Sequence, residues 1–212
     1  LTDDNMAIMA KTDGGRALLN RLLAMAIAAG DSDAIERAAK QVHDQNMSLS
    51  QGALAALNHC DHPARAIALQ AFHDRWQDSP LVMEKWFMME SMSLVSGTVA
   101  RLGELMAHPA FDANNPNKLR SVLGAFMTGN PVHFYAEDGS GFDFIGDCLI
   151  DIDARNPQLA ARMALPLTRR TQYAPARRAK MGAVLQKLQQ QAQSNDLREV
   201  IDKALADGPS PV

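Results

Sequence analysis

The stretch DARNPQLAARM, Asp153 to Met163, places the amide of Gln158 and the guanidinium of Arg162 four residues apart, just inside a helix start. Residues at i and i+4 share a helix face, so the two groups act side by side. The unpaired N–H groups of a helix's first turn add positive potential at the same end. Such a site receives an anion. Arg120 stands comparably, five residues after Asn115-Pro116, and completes a candidate binding set of Arg120, Gln158 and Arg162. Either arginine would contribute about 1.5–3 kcal/mol through a charge-assisted hydrogen bond, which holds a ligand but does not transform it. The competing reading pairs both arginines with Asp, Glu or helix C-termini inside the fold.

Other chemistries find less support. His59-Cys60-Asp61-His62 gathers ligand-type residues, but it straddles a helix end and has no second cluster at zinc-finger spacing. None of the six histidines is followed by glutamate, so no H-E-x-x-H zinc motif exists in the chain. AEDGSGF, Ala136 to Phe142, is neither G-x-S-x-G nor a phosphate loop. It reads as a turn at Asp138-Gly139 followed by a helix capped by Ser140. Glu137 and Asp138 are turn acids, not a catalytic pair. No catalytic residue and no metal ligand is therefore expected in this chain.

The positioning elements are helices. Ala, Leu, Met and Gln dominate, aromatics are 5% of the residues, and alternating β-branched runs are missing. Ser79-Pro80, Asn115-Pro116, Asn130-Pro131 and Asn156-Pro157 each set a capping oxygen before a proline, whose missing N–H costs nothing at the first helical position. Asp31, Ser48 and Asp61 supply further starts, while Gly30, Gly129 and Gly208 supply stops. The pattern predicts helices near 13–29, 32–45, 49–59, 63–77, 80–92, 95–107, 116–128, 140–153, 157–168, 175–192 and 195–206. Short connections make successive helices antiparallel. The fold class is all-α, an irregular α-solenoid of antiparallel helix pairs like HEAT or armadillo arrays, with a globular bundle as the competing architecture. One domain over 1–206 and a loose tail at 207–212 are expected.

At 212 residues the chain buries roughly 70% of its unfolded surface without disulfides or metals. Its two distant cysteines, Cys60 and Cys148, read as reduced, buried residues of a cytoplasmic protein. No signal peptide or membrane span is evident, and a start at Leu1-Thr2 suggests a processed chain or a piece of something longer. A net charge of −3 argues against a nucleic-acid partner, yet residues 151–190 hold six arginines and two lysines against two aspartates. That stretch is a positive face for an acidic surface or anionic ligand, or an ordinary solvated one. Trp76, Val82, Met83, Trp86, Phe87 and Met89 fall at helical spacing and form core, with Glu84 and Lys85 facing water.

Four strings, WQDSPLVMEKWF, NPNKLRSVLGAF, NPVHFYAEDGSGF and DARNPQLAARM, occur in one order at one spacing. Together they resemble the C-terminal domain of bacterial aminopeptidase N, of the M1 zinc metallopeptidase family, from about Gly14 to Ala206. The resemblance implies a noncatalytic helical superhelix that caps an active site. The zinc and its H-E-x-x-H motif would then lie in another domain of a larger polypeptide, so this chain needs no cofactor. Its partners would be the catalytic and N-terminal domains and peptide substrates, with no nucleic acid and no membrane. Arg120, Gln158 and Arg162 match family positions on the substrate-facing chamber wall, where they would hold or channel the peptide beyond its N-terminal residue. The alternative is a free-standing α-solenoid scaffold binding a partner protein in its groove.

Overall fold

The computed structural model describes residues 3–206, and among them every regular element is helical. The expected tail at 207–212 and the Gly208 stop lie outside the described residues. The chain forms two compact units, one up to Thr98 and one from Val99.

In the first unit, α1 (Asp3–Met9), α2 (Asp13–Ala28), α3 (Ser32–Gln41), α4 (Met47–Leu57), α5 (Pro63–Trp76) and α6 (Pro80–Ser91) pack largely onto chain neighbours. Helix α2 also lies along α4, two elements on. Gly52 permits that approach, because a Cβ there would stand 2.1 Å from the Asn20 amide nitrogen. That amide is committed, donating to the Ser48 carbonyl at 2.8 Å. Ala34, Ala38, Ala53, Leu54, Leu57, Phe72, Met83 and Phe87 fill the interior. Trp86 is buried with them, and its indole N–H donates to the Leu69 carbonyl at 3.0 Å.

The second unit holds α7 (Thr98–Met106, entering from the unit boundary), α8 (Pro116–Leu119), a π-helical turn (Arg120–Gly124), α9 (Ala125–Gly129) and the short α10 (Pro131–Phe134). Then come α11 (Ser140–Asp153), α12 (Pro157–Thr168), a 3₁₀ turn (Arg169–Gln172), α13 (Pro175–Gln191) and α14 (Asn195–Ala206). Helix α12 packs chiefly on α14 and α11, and α13 on α11 and α14. Phe134 meets Phe126 and Phe142 edge-on at 5.8 and 5.2 Å between ring centroids, joining α9, α10 and α11.

The predicted helices largely stand, with local corrections. Helix α1 escaped notice because seven residues carry little periodicity. The helix expected to 45 ends at Gln41, the one expected from 95 starts at Thr98, and 116–128 is interrupted by the π turn. Asn46, not Ser48, caps α4, accepting the N–H groups of Ser48 and Leu49. His62 displaces Asp61 at α5, its Nδ1 accepting the Ala64 N–H at 3.1 Å. Ser140 is the first residue of α11, not its cap. Gly139 precedes it at φ 85, a left-handed conformation that favours glycine. Ser79 makes no side-chain capping bond. Glu84 and Lys85 are half-buried, and Lys85 reaches the Gln51 side-chain oxygen at 3.2 Å.

Both cysteines are free thiols, but only Cys148 is buried; Cys60 is half-exposed. Burial first, then the carboxylates of Asp151 and Asp147, pushes the Cys148 thiol up to about 12. Thiolate is the reactive form, so a disulfide reagent at pH 8 should label one sulfur quickly and the other only after denaturation. Two rapid equivalents from the folded chain would contradict this packing.

Candidate functional site

Asn156 builds the head of α12. Its side-chain oxygen accepts the Leu159 N–H at 3.0 Å, and Pro157 occupies the first helical position. Leu159, Ala160, Met163, Ala164 and Leu167 bury one face of the helix, which anchors it against α11 and α14. Gln158 and Arg162 occupy the opposite face, and both are exposed. Among the described residues neither has a hydrogen-bond or ion-pair partner. The internal ion pair offered as a competing reading is thus not formed, and an amide and a guanidinium stand available to solvent.

Arg120 opens the π turn. Its side chain is exposed and donates to the Asn117 side-chain oxygen at 3.0 Å, while the Asn115 oxygen accepts the Asn117 N–H at 2.9 Å. Leu119, Ser121, Val122 and Leu123 are buried around it. Single π turns often sit at functional positions, because the extra residue re-aims the side chains of that turn. Among the described residues no hydrogen bond or ion pair joins Arg120 to Gln158 or Arg162. The structure presents a pair on α12 and, on the π turn, an arginine oriented by Asn117. Asn117 was not singled out in the sequence, although its three-residue spacing to Arg120 was visible.

Most of the positive stretch is occupied structurally. Arg170 donates to the carbonyls of Ala204 and Leu205, Arg177 to that of Tyr135, Arg178 to those of Thr171 and Tyr173, and Lys180 to that of Asp138. Lys187 pairs with Asp147. The first four cations tie loop and helix-end carbonyls and Lys187 ties a carboxylate, so charge alone overstated the anion-binding face.

The remaining candidates take structural roles. Asp138 accepts the Ser140 N–H and hydroxyl at 2.9 and 2.7 Å, and these bonds hold its carboxyl below the usual carboxylate range. It stays ionised at neutral pH and has no proton to give. Within His59-Cys60-Asp61-His62, burial first and the Arg65 charge second lower the His59 pKa, while His62 serves as the α5 cap. Among the described residues no three His, Cys, Asp or Glu side chains converge as metal ligands.

Helical repeats of this kind recur in known proteins. Residues 2–206 match the family described as a domain of unknown function (DUF3458_C) with ARM repeats, and the chain belongs to that family. The all-α armadillo-like architecture expected from the sequence is thereby met. Within 169 residues the chain is 40% identical to aminopeptidase N of Escherichia coli, covering 79% of this chain and 19% of that protein. Aminopeptidase N of Haemophilus influenzae is 37% identical over 169 residues, 78% of this chain and 19% of that protein. A crystal structure of Legionella pneumophila aminopeptidase A in complex with aspartic acid superposes with a TM-score of 0.87 at 28% identity, over 92% of this chain and 23% of that one. The chain spans about a fifth of the length of these curated relatives. The resemblance to a C-terminal aminopeptidase domain is confirmed.

Proposed function

We propose that this chain is the noncatalytic C-terminal domain of a cytoplasmic, zinc-dependent M1 aminopeptidase N. It closes the active-site chamber and helps hold or channel peptides whose N-terminal residue the parent enzyme removes. The observation that carries the reading is the family match over residues 2–206 combined with alignment to one-fifth of each aminopeptidase N. Gln158 and Arg162, exposed and unengaged on one face of α12, suit a peptide's terminal carboxylate; Arg120, oriented by Asn117, suits the same charge. Zinc would supply Lewis-acid activation of water and of the scissile carbonyl in the catalytic domain. The described residues offer no trio of side chains that suits zinc. His62 is engaged as a helix cap and no ligand trio converges among the described residues, so no step is assigned to metal in this chain.

The purified chain, supplied with zinc, is expected to release no amine from an alanyl-anilide, whereas the longer polypeptide turns it over. Turnover by the chain alone would refute the assignment. An inactive longer polypeptide would favour the scaffold reading.

A further inference from the structure

Helix α2 is apolar on both sides. Leu23 and Ile27 are buried, yet Ala17, Leu18, Leu22, Met25 and Ala28 are exposed, interrupted only by Arg21. Leu18, Leu22 and Met25 keep 49%, 38% and 59% of their surface open, and Ile8 of α1 keeps 62%. At 1.5 Å per residue, α1 with its seven residues is about 10 Å long and α2 with sixteen about 24 Å, so α1 shields less than half of α2. A helix that is apolar all round is ordinarily covered on all sides.

The last helix behaves oppositely. Helix α14 buries Leu197, Ile201 and Ala204 and turns Asn195, Asp196, Arg198, Glu199, Asp202 and Lys203 to solvent. In repeat arrays each unit contacts its neighbours, and a unit that ends the array carries a polar outer face. Helix α14 has such a face and α2 lacks one.

We infer that the outer face of α2 is an internal joint of the array, covered by a further helix of the same longer polypeptide that packs along Leu18, Leu22 and Met25. A helix is the fitting occupant because the open apolar stripe, from Ala17 to Ala28, runs over most of α2 at the three- and four-residue spacing that ridges-into-grooves packing uses. The longer relatives have about four-fifths of their length outside the matched region, which can supply it. This inference rests on the chain belonging to a longer polypeptide and is independent of peptidase activity.

Methionine oxidation by dilute peroxide reads the joint directly, since susceptibility follows exposure. In the 212-residue chain Met25 should oxidise readily at low protein concentration; in the longer polypeptide it should oxidise slower by on the order of tenfold. Equal rates in the two would overturn the joint. Protection already present in the 212-residue chain, growing with concentration, would identify a second copy as occupant and overturn it too. Leu18→Glu supplies the second arm, read by melting temperature. It should leave the short chain unchanged and lower that of the longer polypeptide by about 4–8 °C, through an unpaired charge forced into the joint. An unchanged longer polypeptide would again contradict a packed helix. Peptide hydrolysis, assayed separately, decides the aminopeptidase assignment without touching this result.

Discussion

Trp86→Ala should lower the stability of the first unit by about 3–5 kcal/mol. The indole is 5% exposed, its ring lies 5.1 Å from His73 and 5.3 Å from Phe87, and its N–H satisfies the Leu69 carbonyl. Truncation removes a large apolar volume from between α5 and α6, and the surrounding Phe72, Met83 and Phe87 can relax only partly into the gap. It also removes the indole hydrogen bond to the Leu69 carbonyl, a further loss of about 0.5–1.5 kcal/mol, while that carbonyl keeps its place in the α5 ladder. Urea unfolding followed by circular dichroism checks this. The midpoint should fall with the slope unchanged. A loss below about 1 kcal/mol would mean the indole is not core.

Asp153→Ala should cost a similar amount in the second unit by an electrostatic route. The carboxylate is 2% exposed at the end of α11, and it accepts the N–H groups of Gln193 and Ser194 at 2.7 and 3.0 Å and also the Ser194 hydroxyl. One side chain thereby fastens the α13–α14 connection some forty residues away. Removing it strands two backbone donors, each costing about 1–3 kcal/mol. Asp153→Asn should recover part of the loss, because one acceptor oxygen remains while the amide presents hydrogens to donors. Thermal melts of the two variants give the test. Equal stability of Asp153→Ala and the parent sequence would show that the connection is held by other means.

These two residues mark how far the sequence is legible. Trp86 could be read as core because helical spacing is local, and Asn115, Asn130 and Asn156 could be read as caps because an Asx side chain before proline completes its chemistry within three residues. Asp153 could not, since its partners come from sequence forty residues on. The π turn was hidden for a related reason: Arg120–Gly124 has ordinary helix formers, and the extra residue is accommodated by packing around Leu119, Val122 and Leu123. The face shared by Gln158 and Arg162 followed from periodicity alone. That Arg170, Arg177 and Lys180 are spent on carbonyls did not, because those carbonyls belong to a helix end and to loops that the tertiary fold brings near.

The kinetics of Arg162→Ala in the longer polypeptide bear most directly on the role assigned to this domain. A short peptide carries a terminal carboxylate that an alanyl-anilide lacks, so loss of a charged hydrogen bond should fall on the peptide alone. At about 1.5–3 kcal/mol, kcat/KM for a tetrapeptide should drop about 10–150-fold. The value for the anilide should stay within about twofold. Equal losses on both substrates, or none on either, would contradict a helical domain that holds the far end of the peptide.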